Sequence, residues 1–202
     1  MAAPPSKGKI GILIEDHFDP SEFRDFNRFF PSKGYEVVYL THLWGQPVLH
    51  FGSNPEDNVV KEQVAVSTEV CDLDLAGFRA IVAIGAYATD RLRYQATVTK
   101  GQKNNAPAVV FLRRVMATPH LRVGTICHGL WLWCADPDLL RGRRVTCAHN
   151  IVCDVENAGA EVVYEGDGTA ELVIDGNLIT AKHPSVNERF MQTLVAELEK
   201  SA

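Results

Sequence analysis

The residues best equipped for chemistry in this 202-residue chain are Cys127, His128 and Gly129. They lie within Arg122-Val123-Gly124-Thr125-Ile126-Cys127-His128-Gly129-Leu130-Trp131-Leu132-Trp133. Leu121, Val123 and Ile126 read as a strand; Leu130 to Trp133 read as a helix with no breaker before Pro137. A strand that turns sharply into a helix holds its corner residue strained and presents its side chain, which is how a nucleophile elbow works. The amides that open the helix point partial positive charge at the sulfur. They should lower the thiol pKa and stabilise an anion beside it. A buried structural cysteine is the plain alternative, because free cysteine is among the most buried residue types. The Cys-His-Gly sequence at a strand–helix junction favours the nucleophile.

The elements around this corner alternate. Lys9 to Ile14, Tyr35 to Thr41, Phe78 to Ile84 and Leu121 to Ile126 read as strands, and Arg143 to Cys147 and Glu161 to Tyr164 as further ones. Asp19-Pro20-Ser21-Glu22 is a helix start, with Asp19 as N-cap, Pro20 at the first helical position and Glu22 at the third. That helix runs to about Ser32 and closes at Gly34. Further helices are expected around Asp90 to Arg93, over Ala108 to Met116, over Asn150 to Ala158 and over Ser185 to Lys200. Val48 to Phe51 and Val64 to Val66 suit a small hairpin at the sheet edge, and Asp175-Gly176-Asn177 is a second hairpin turn. Strands alternating with helices imply a mostly parallel sheet covered on both faces. In such a sheet, ligands bind beyond the carboxyl ends of the strands. Four loops should converge there: Glu15 to Glu22, Gly85 to Asp90, Cys127-His128 and Ala148 to Asn150.

Composition sets limits. The length suits one domain over residues 1–202, with residues 1–8 as a loose N-terminal arm. Apolar content of 46% and charged content of 22% are ordinary for a globular protein. A net charge of -5 argues against nucleic-acid binding through a basic face. No apolar run approaches membrane-spanning length, and Met1 to Lys9 lacks a signal-peptide core. The five cysteines contain no CxxC pair, so neither a disulfide scaffold nor a zinc site is expected. These readings point to a cytoplasmic protein with reduced thiols and no cofactor or metal.

Several stretches together resemble the ThiJ/PfpI superfamily, most nearly its intracellular protease I branch. They are Gly85-Ala86-Tyr87 with Asp90 to Arg93, Ile126-Cys127-His128-Gly129, Leu139-Leu140-Arg141-Gly142-Arg143-Arg144-Val145-Thr146, Glu156-Asn157-Ala158-Gly159-Ala160, and Val173 to Thr180 with His183-Pro184. The resemblance implies an α/β, flavodoxin-like three-layer sandwich with a mostly parallel sheet and a reactive elbow cysteine. It implies Cys127 as nucleophile with His128 beside it. It makes Glu22 the acid that hydrogen-bonds the cysteine, against plain helix capping. It implies that Asp90 reaches a neighbouring subunit's histidine, against a simple helix-start role, and hence a homodimer or larger homo-oligomer. The amides of Ala86 and His128 would bind an oxyanion, with Gly85 and Gly129 shaping the two turns. Ala86 stands where relatives usually have a second glycine, and Ala148-His149 where they often have an aromatic residue. His149 is therefore either a polar pocket residue or a satisfied histidine at a helix start.

The function implied is a cofactor-independent enzyme in which Cys127 attacks a small electrophilic carbonyl, as in glyoxalase or deglycase chemistry. Peptide or amide hydrolysis, isonitrile hydration and a redox-sensing chaperone role use the same cysteine and stay open. The substrate is a small molecule in the leading reading, with neither a membrane nor a nucleic acid as partner.

Overall fold

The computed structural model describes residues 6–55 and 61–200. Of the expected N-terminal arm, residues 1–5 lie outside the described residues, and Lys7 is tied to Gly34 through its amide and to Glu199 through its ammonium. The strands are β1 (Lys9–Leu13), β2 (Glu36–Leu40), β3 (Leu49–Gly52), β4 (Gln63–Val66), β5 (Phe78–Ala83) and β6 (Arg122–Ile126), followed by β7 (Arg144–Val145), β8 (Glu161–Val162), β9 (Tyr164–Glu165), β10 (Gly168–Thr169), β11 (Leu172–Asp175) and β12 (Leu178–Ala181). The α-helices are α1 (Pro20–Ser32), α2 (Ala88–Leu92), α3 (Pro107–Met116), α4 (Val152–Asn157) and α5 (Asn187–Lys200).

Six strands form the central sheet in the order β11-β12-β6-β5-β1-β2. Every pair is parallel except β11 with β12, which forms the hairpin turned at Gly176. The chain passes from β1 to β2 in one direction and then crosses back to β5, so the topological switch lies between β1 and β5. The loops after β1, β5 and β6 open at that crevice. The flavodoxin-like expectation holds in its strand order.

Phe26 and Phe30 of α1 are fully buried, and Phe26 meets Phe190 of α5 at 6.2 Å between ring centroids. These two helices pack together on one face of the sheet, while α2, α3 and α4 gather around the segment that follows β6. Ile10, Ile12, Leu13, Ile81 and Val82 are buried between the layers, as a parallel sheet covered on both sides requires.

The smaller strands depart from the sequence reading. β3 and β4 pair as a separate ribbon instead of extending the sheet. Among the described residues, β7 pairs only with β8, and β9 only with β10. Residues 143–147 and 161–164 therefore form short ribbons outside the main sheet. The β3–β4 ribbon instead laces the first functional loop: the His17 amide donates to the Gly52 carbonyl at 2.8 Å, and the Asn54 amide to the Phe18 carbonyl at 2.8 Å.

Gly124 allows α5 to lie flat on β6. A Cβ built there would come within 2.7 Å of the Phe190 ring and 3.3 Å of Val82. Gly124→Ala is expected to destabilise the fold by about 1–3 kcal/mol through overpacking. Adding Phe190→Leu to the same chain should recover part of that loss, because the two positions touch. Urea melts of the single and double variants measure both effects, and strictly additive losses would contradict the contact.

Candidate active site

β6 ends in extended backbone at Ile126, and Cys127 then takes a φ of 55°. A left-handed conformation in a residue with a Cβ costs about 1–3 kcal/mol and persists only where its surroundings hold it. The segment that follows, Cys127–Ala135, is a 3₁₀-helix rather than the expected α-helix. Gly129 explains how tightly this segment is seated. A Cβ there would lie 2.2 Å from the Thr125 hydroxyl and 2.8 Å from the Ala83 carbonyl. Gly129 thus lets the first turn sit directly on the ends of β5 and β6, which is a packing reason for a glycine.

The turn after β5 has the same device. Ala86 has a φ of 58°, the region that favours glycine. Replacing the usual glycine therefore has not rotated the amide out of place. The amides of His128 and Ala86 both act on the Cys127 thiol, pulling its pKa down. Backbone amides from two different loops thus border the cysteine.

Glu22 is fully buried on α1. The capping function falls to its neighbour: the Asp19 carboxylate accepts from the Ser21 amide at 2.8 Å and the Glu22 amide at 3.0 Å. The Glu22 side chain points away from the helix start and accepts from the Gly85 amide through Oε2 at 2.7 Å. Its Oε1 is buried without a partner. Gly85 is required here, since a Cβ would fall 2.6 Å from that oxygen and 3.2 Å from the Cys127 Cβ. The carboxyl and the cysteine thus crowd the same point, across a glycine that puts nothing between them.

Burial pushes the Glu22 carboxyl well above its usual range, the Asp19 charge adds to the shift, and the Gly85 amide opposes it. That direction favours the protonated form of the carboxyl. Burial also pushes the Cys127 thiol up, while the amides of His128 and Ala86 pull it down. The expectation of an acidic thiol counted the helix-start amides alone; the buried setting, with the sulfur's residue only 7% exposed, outweighs them. A charge on Glu22 would raise the thiol further, and protonation of Glu22 removes that repulsion.

His128 lines up with the sulfur. Its Nδ1 lies 3.2 Å from Cys127 Sγ, and its Nε2 lies 2.7 Å from the Asn150 side-chain amide nitrogen. Burial, reinforced by the charge of His149, holds its pKa below the usual value. With Asn150 donating to Nε2, the neutral ring carries its proton on Nδ1 and aims it at the sulfur. Tyr87 stacks on the ring at 6.3 Å. Asn150 was legible only as part of a converging loop; nothing in its residue type or spacing singled it out. His149 opens the short 3₁₀ turn His149–Ile151, exposed, and acts on His128 through its charge.

Asp90 stands apart in this chain. It is exposed on α2 and lines a cleft of about 760 Å³ with Glu15, Trp44, Arg93, Tyr94 and Trp131. The described partners of His128 are Cys127 and Asn150, not Asp90.

The proton on Glu22 has a measurable consequence for folding. The folded chain holds that proton above the unfolded carboxyl value of 4.5, so folded wild type binds more protons than unfolded chain. Its stability should fall as pH rises past that value, by up to about 1.4 kcal/mol per pH unit, until the folded carboxyl ionises. Glu22→Gln keeps an acceptor for Gly85 and a donor on the other side, with no proton to lose. Its stability relative to wild type should therefore climb between about pH 5 and 8. Urea melts across that range test this, and a constant difference would show that Glu22 is already ionised.

The described residues contain no helix long and apolar enough to cross a membrane. The chain is 29% identical over 180 residues to protein/nucleic acid deglycase 2 of Escherichia coli, covering 87% of this chain and 89% of that one. It is 28% identical over 182 residues to a Bacillus subtilis protein provisionally named as the cysteine protease YraA, covering 90% and 93%. A crystal structure from Anabaena variabilis, a two-domain protein with a DJ-1/ThiJ/PfpI-like and a ferritin-like domain, superposes with a TM-score of 0.78 at 26% identity. That match covers 96% of this chain, and the chain spans about half, 48%, of the two-domain protein. Residues 8–197 match the DJ-1/PfpI family, so the chain belongs to the DJ-1/PfpI family.

Proposed function

We propose that this chain is a cofactor-independent enzyme that hydrates small 2-oxoaldehydes to 2-hydroxy acids through Cys127. The observation that carries this reading is a left-handed elbow cysteine with the His128 imidazole 3.2 Å from its sulfur and the buried Glu22 carboxyl packed close by across Gly85. The Cys127 sulfur adds to the aldehyde carbon, and the thiol proton passes to the new oxygen. The amides of Ala86 and His128 hold that oxygen while it carries charge. A base then removes the hydrogen from the former aldehyde carbon, and a proton returns to the neighbouring ketone carbon, giving a 2-hydroxy thioester. His128 serves as the base through Nδ1 once its ring proton lies on Nε2 and the Asn150 side chain has turned its oxygen to accept it, and Glu22 serves as the acid. Water cleaves the thioester, releases the 2-hydroxy acid and restores the thiol, so the net reaction adds one water. A cysteine only 7% exposed admits a small carbonyl more readily than a peptide. We place the activity in the cytoplasm, where the thiol stays reduced.

Amide hydrolysis is the second reading, and one observation favours it. Cys127, His128 and Asn150 stand in series, with sulfur on one ring nitrogen and a side-chain amide on the other, the order used by cysteine hydrolases. A panel of methylglyoxal, a glycated amine and small amide substrates separates the two readings. Methylglyoxal turnover is expected, lowered at least about a thousandfold by Cys127→Ser and about a hundredfold or more by Glu22→Gln. Turnover of amides alone would replace the first reading with the second.

The role of Asp90 belongs to an assembly. The cleft that it lines is rimmed by exposed Trp44 and Tyr94, at 45% and 60% exposure, which supports a face covered by another copy of the chain. In that arrangement Asp90 of the partner subunit takes the place of Asn150 at the imidazole and favours its protonated form. Cys127→Ser and Asp90→Asn protomers, each impaired alone, should regain activity when mixed, because one mixed site keeps both groups. Light scattering should give a mass above 22.3 kDa. A fully active Asp90→Asn variant, or an active monomer, would remove Asp90 from the mechanism.

A further inference from the structure

A second cluster of cysteine, histidine and carboxylate lies on the loops after β2 and before β5, and it shares no residue with the Cys127 site. Thr41 bridges to Glu69, with the Thr41 amide on the Thr68 carbonyl at 3.2 Å and the Val70 amide on the Thr41 carbonyl at 3.1 Å. These bonds clamp residues 41–43 beside residues 68–71. The Glu69 carboxylate is fixed by the amides of Leu43 at 2.9 Å and Cys71 at 3.0 Å. Arg114 holds the same loop by donating to the carbonyls of Val70, Cys71 and Leu73. The backbone thus fixes three side chains before any ligand arrives.

Those side chains converge on one point. His42 Nδ1 lies 3.0 and 3.1 Å from the two Glu69 oxygens and 3.5 Å from Cys71 Sγ. One atom from each residue falls within 4.8 Å of the others. This is not the geometry of a proton relay, which uses the two ring nitrogens in series. Here carboxylate and thiol approach the same nitrogen and also act on each other, so three groups crowd one point instead of forming a line. A metal ion can bind all three at once. Bonds of about 2.0–2.3 Å to N, O and S in a tetrahedron place neighbouring ligand atoms about 3.3–3.7 Å apart. The distances to Nδ1 fall at or just under that range, so small shifts would complete the site.

We propose that His42, Glu69 and Cys71 bind a divalent transition metal of the zinc class through Nδ1, a carboxylate oxygen and a thiolate sulfur, with water in the fourth position. One nitrogen, one oxygen and one sulfur suit a borderline ion such as Zn²⁺ better than calcium or magnesium. The carboxylate and thiolate balance its charge, and exposed Cys71 leaves an approach from solvent. On binding, the Cys71 thiol gives up its proton to solvent and the imidazole proton moves to Nε2, so one proton is released per ion. The absence of a CxxC pair hid this set, because its members are separated by one residue on one side and by a whole hairpin on the other.

The structure supplies a reporter. The Trp44 ring meets His42 edge-on at 4.4 Å, so occupancy should alter its fluorescence. The test is a zinc titration of chelator-treated full-length protein, by calorimetry in buffers of different ionisation enthalpy, with tryptophan emission followed in parallel. Saturable one-to-one binding with release of one proton is expected. Cobalt in place of zinc should give a sulfur-to-metal charge-transfer band. Cys71→Ser should abolish the band, His42→Ala should weaken zinc binding at least about tenfold, and Cys127→Ser should leave both intact. Cys71 is exposed, so its variant tests binding without threatening the fold. No saturable zinc binding, or a band that persists in Cys71→Ser and vanishes in Cys127→Ser, would overturn the proposal and leave the cluster a hydrogen-bonded hub.

Discussion

A carboxyl group sealed from water ties the candidate site together. Glu22 comes from the helix after β1, its hydrogen-bond donor Gly85 from the turn after β5, and the cysteine that it crowds from the turn after β6. An ionised carboxylate in that position would lack the partners to offset desolvation, since one oxygen has a single amide and the other has none. Holding a proton resolves the conflict. The same proton turns the partnerless oxygen into a donor beside the cysteine. The constraint that keeps the three loops at one distance is therefore the one that prepares the chemistry.

The backbone strain follows from the same crowding. Cys127 and Ala86 both adopt left-handed conformations, at φ values of 55° and 58°, and they face each other across the crevice. Each would relax in an isolated turn. Neither can relax here, because Phe18 pairs with Ala86 across the loop and the Ala148 amide holds the Cys127 carbonyl at 3.3 Å. The strain at each corner is offset by contacts that the other loops provide, which is how such conformations survive at functional sites.

Much of this was legible in the sequence, for reasons that particular residues make plain. The run of Ile10, Ile12 and Leu13 and the capping pattern at Asp19-Pro20 are local signals, and the structure follows them. The Cys127 corner was legible because a strand pattern meets a helix pattern there. Asn150 was not, since its role depends on where the imidazole ends up. The 3₁₀ form of residues 127–135 depends on Gly129 meeting Thr125 and Ala83, a tertiary contact with no local signature. The short ribbons at β7–β8 and β3–β4 were misplaced because an apolar run states that a strand forms but not which strand it pairs with. The thiol pKa was misjudged for a similar reason: helix-start amides can be read along the chain, whereas burial is set by the whole fold.

Among the described residues, cysteine, histidine and a carboxyl side chain come together at the Cys127 site and again at His42, and their geometry separates the two sets. Around His128 the contacts run in series, from Sγ to Nδ1 and from Nε2 to Asn150, while the carboxyl of Glu22 is buried and its pKa is raised by that burial. Such a line can pass a proton from one end toward the other. Around His42 the contacts converge, with sulfur and both carboxylate oxygens on the same nitrogen. A convergent set has no direction for a proton to travel, but it has a centre. Burial sharpens the distinction. The Cys127 residue is 7% exposed inside a crevice, whereas Cys71 is open to solvent and can meet a hydrated ion. Residue type alone would have assigned both sets the same chemistry; the ring nitrogen that each neighbour reaches assigns them different ones.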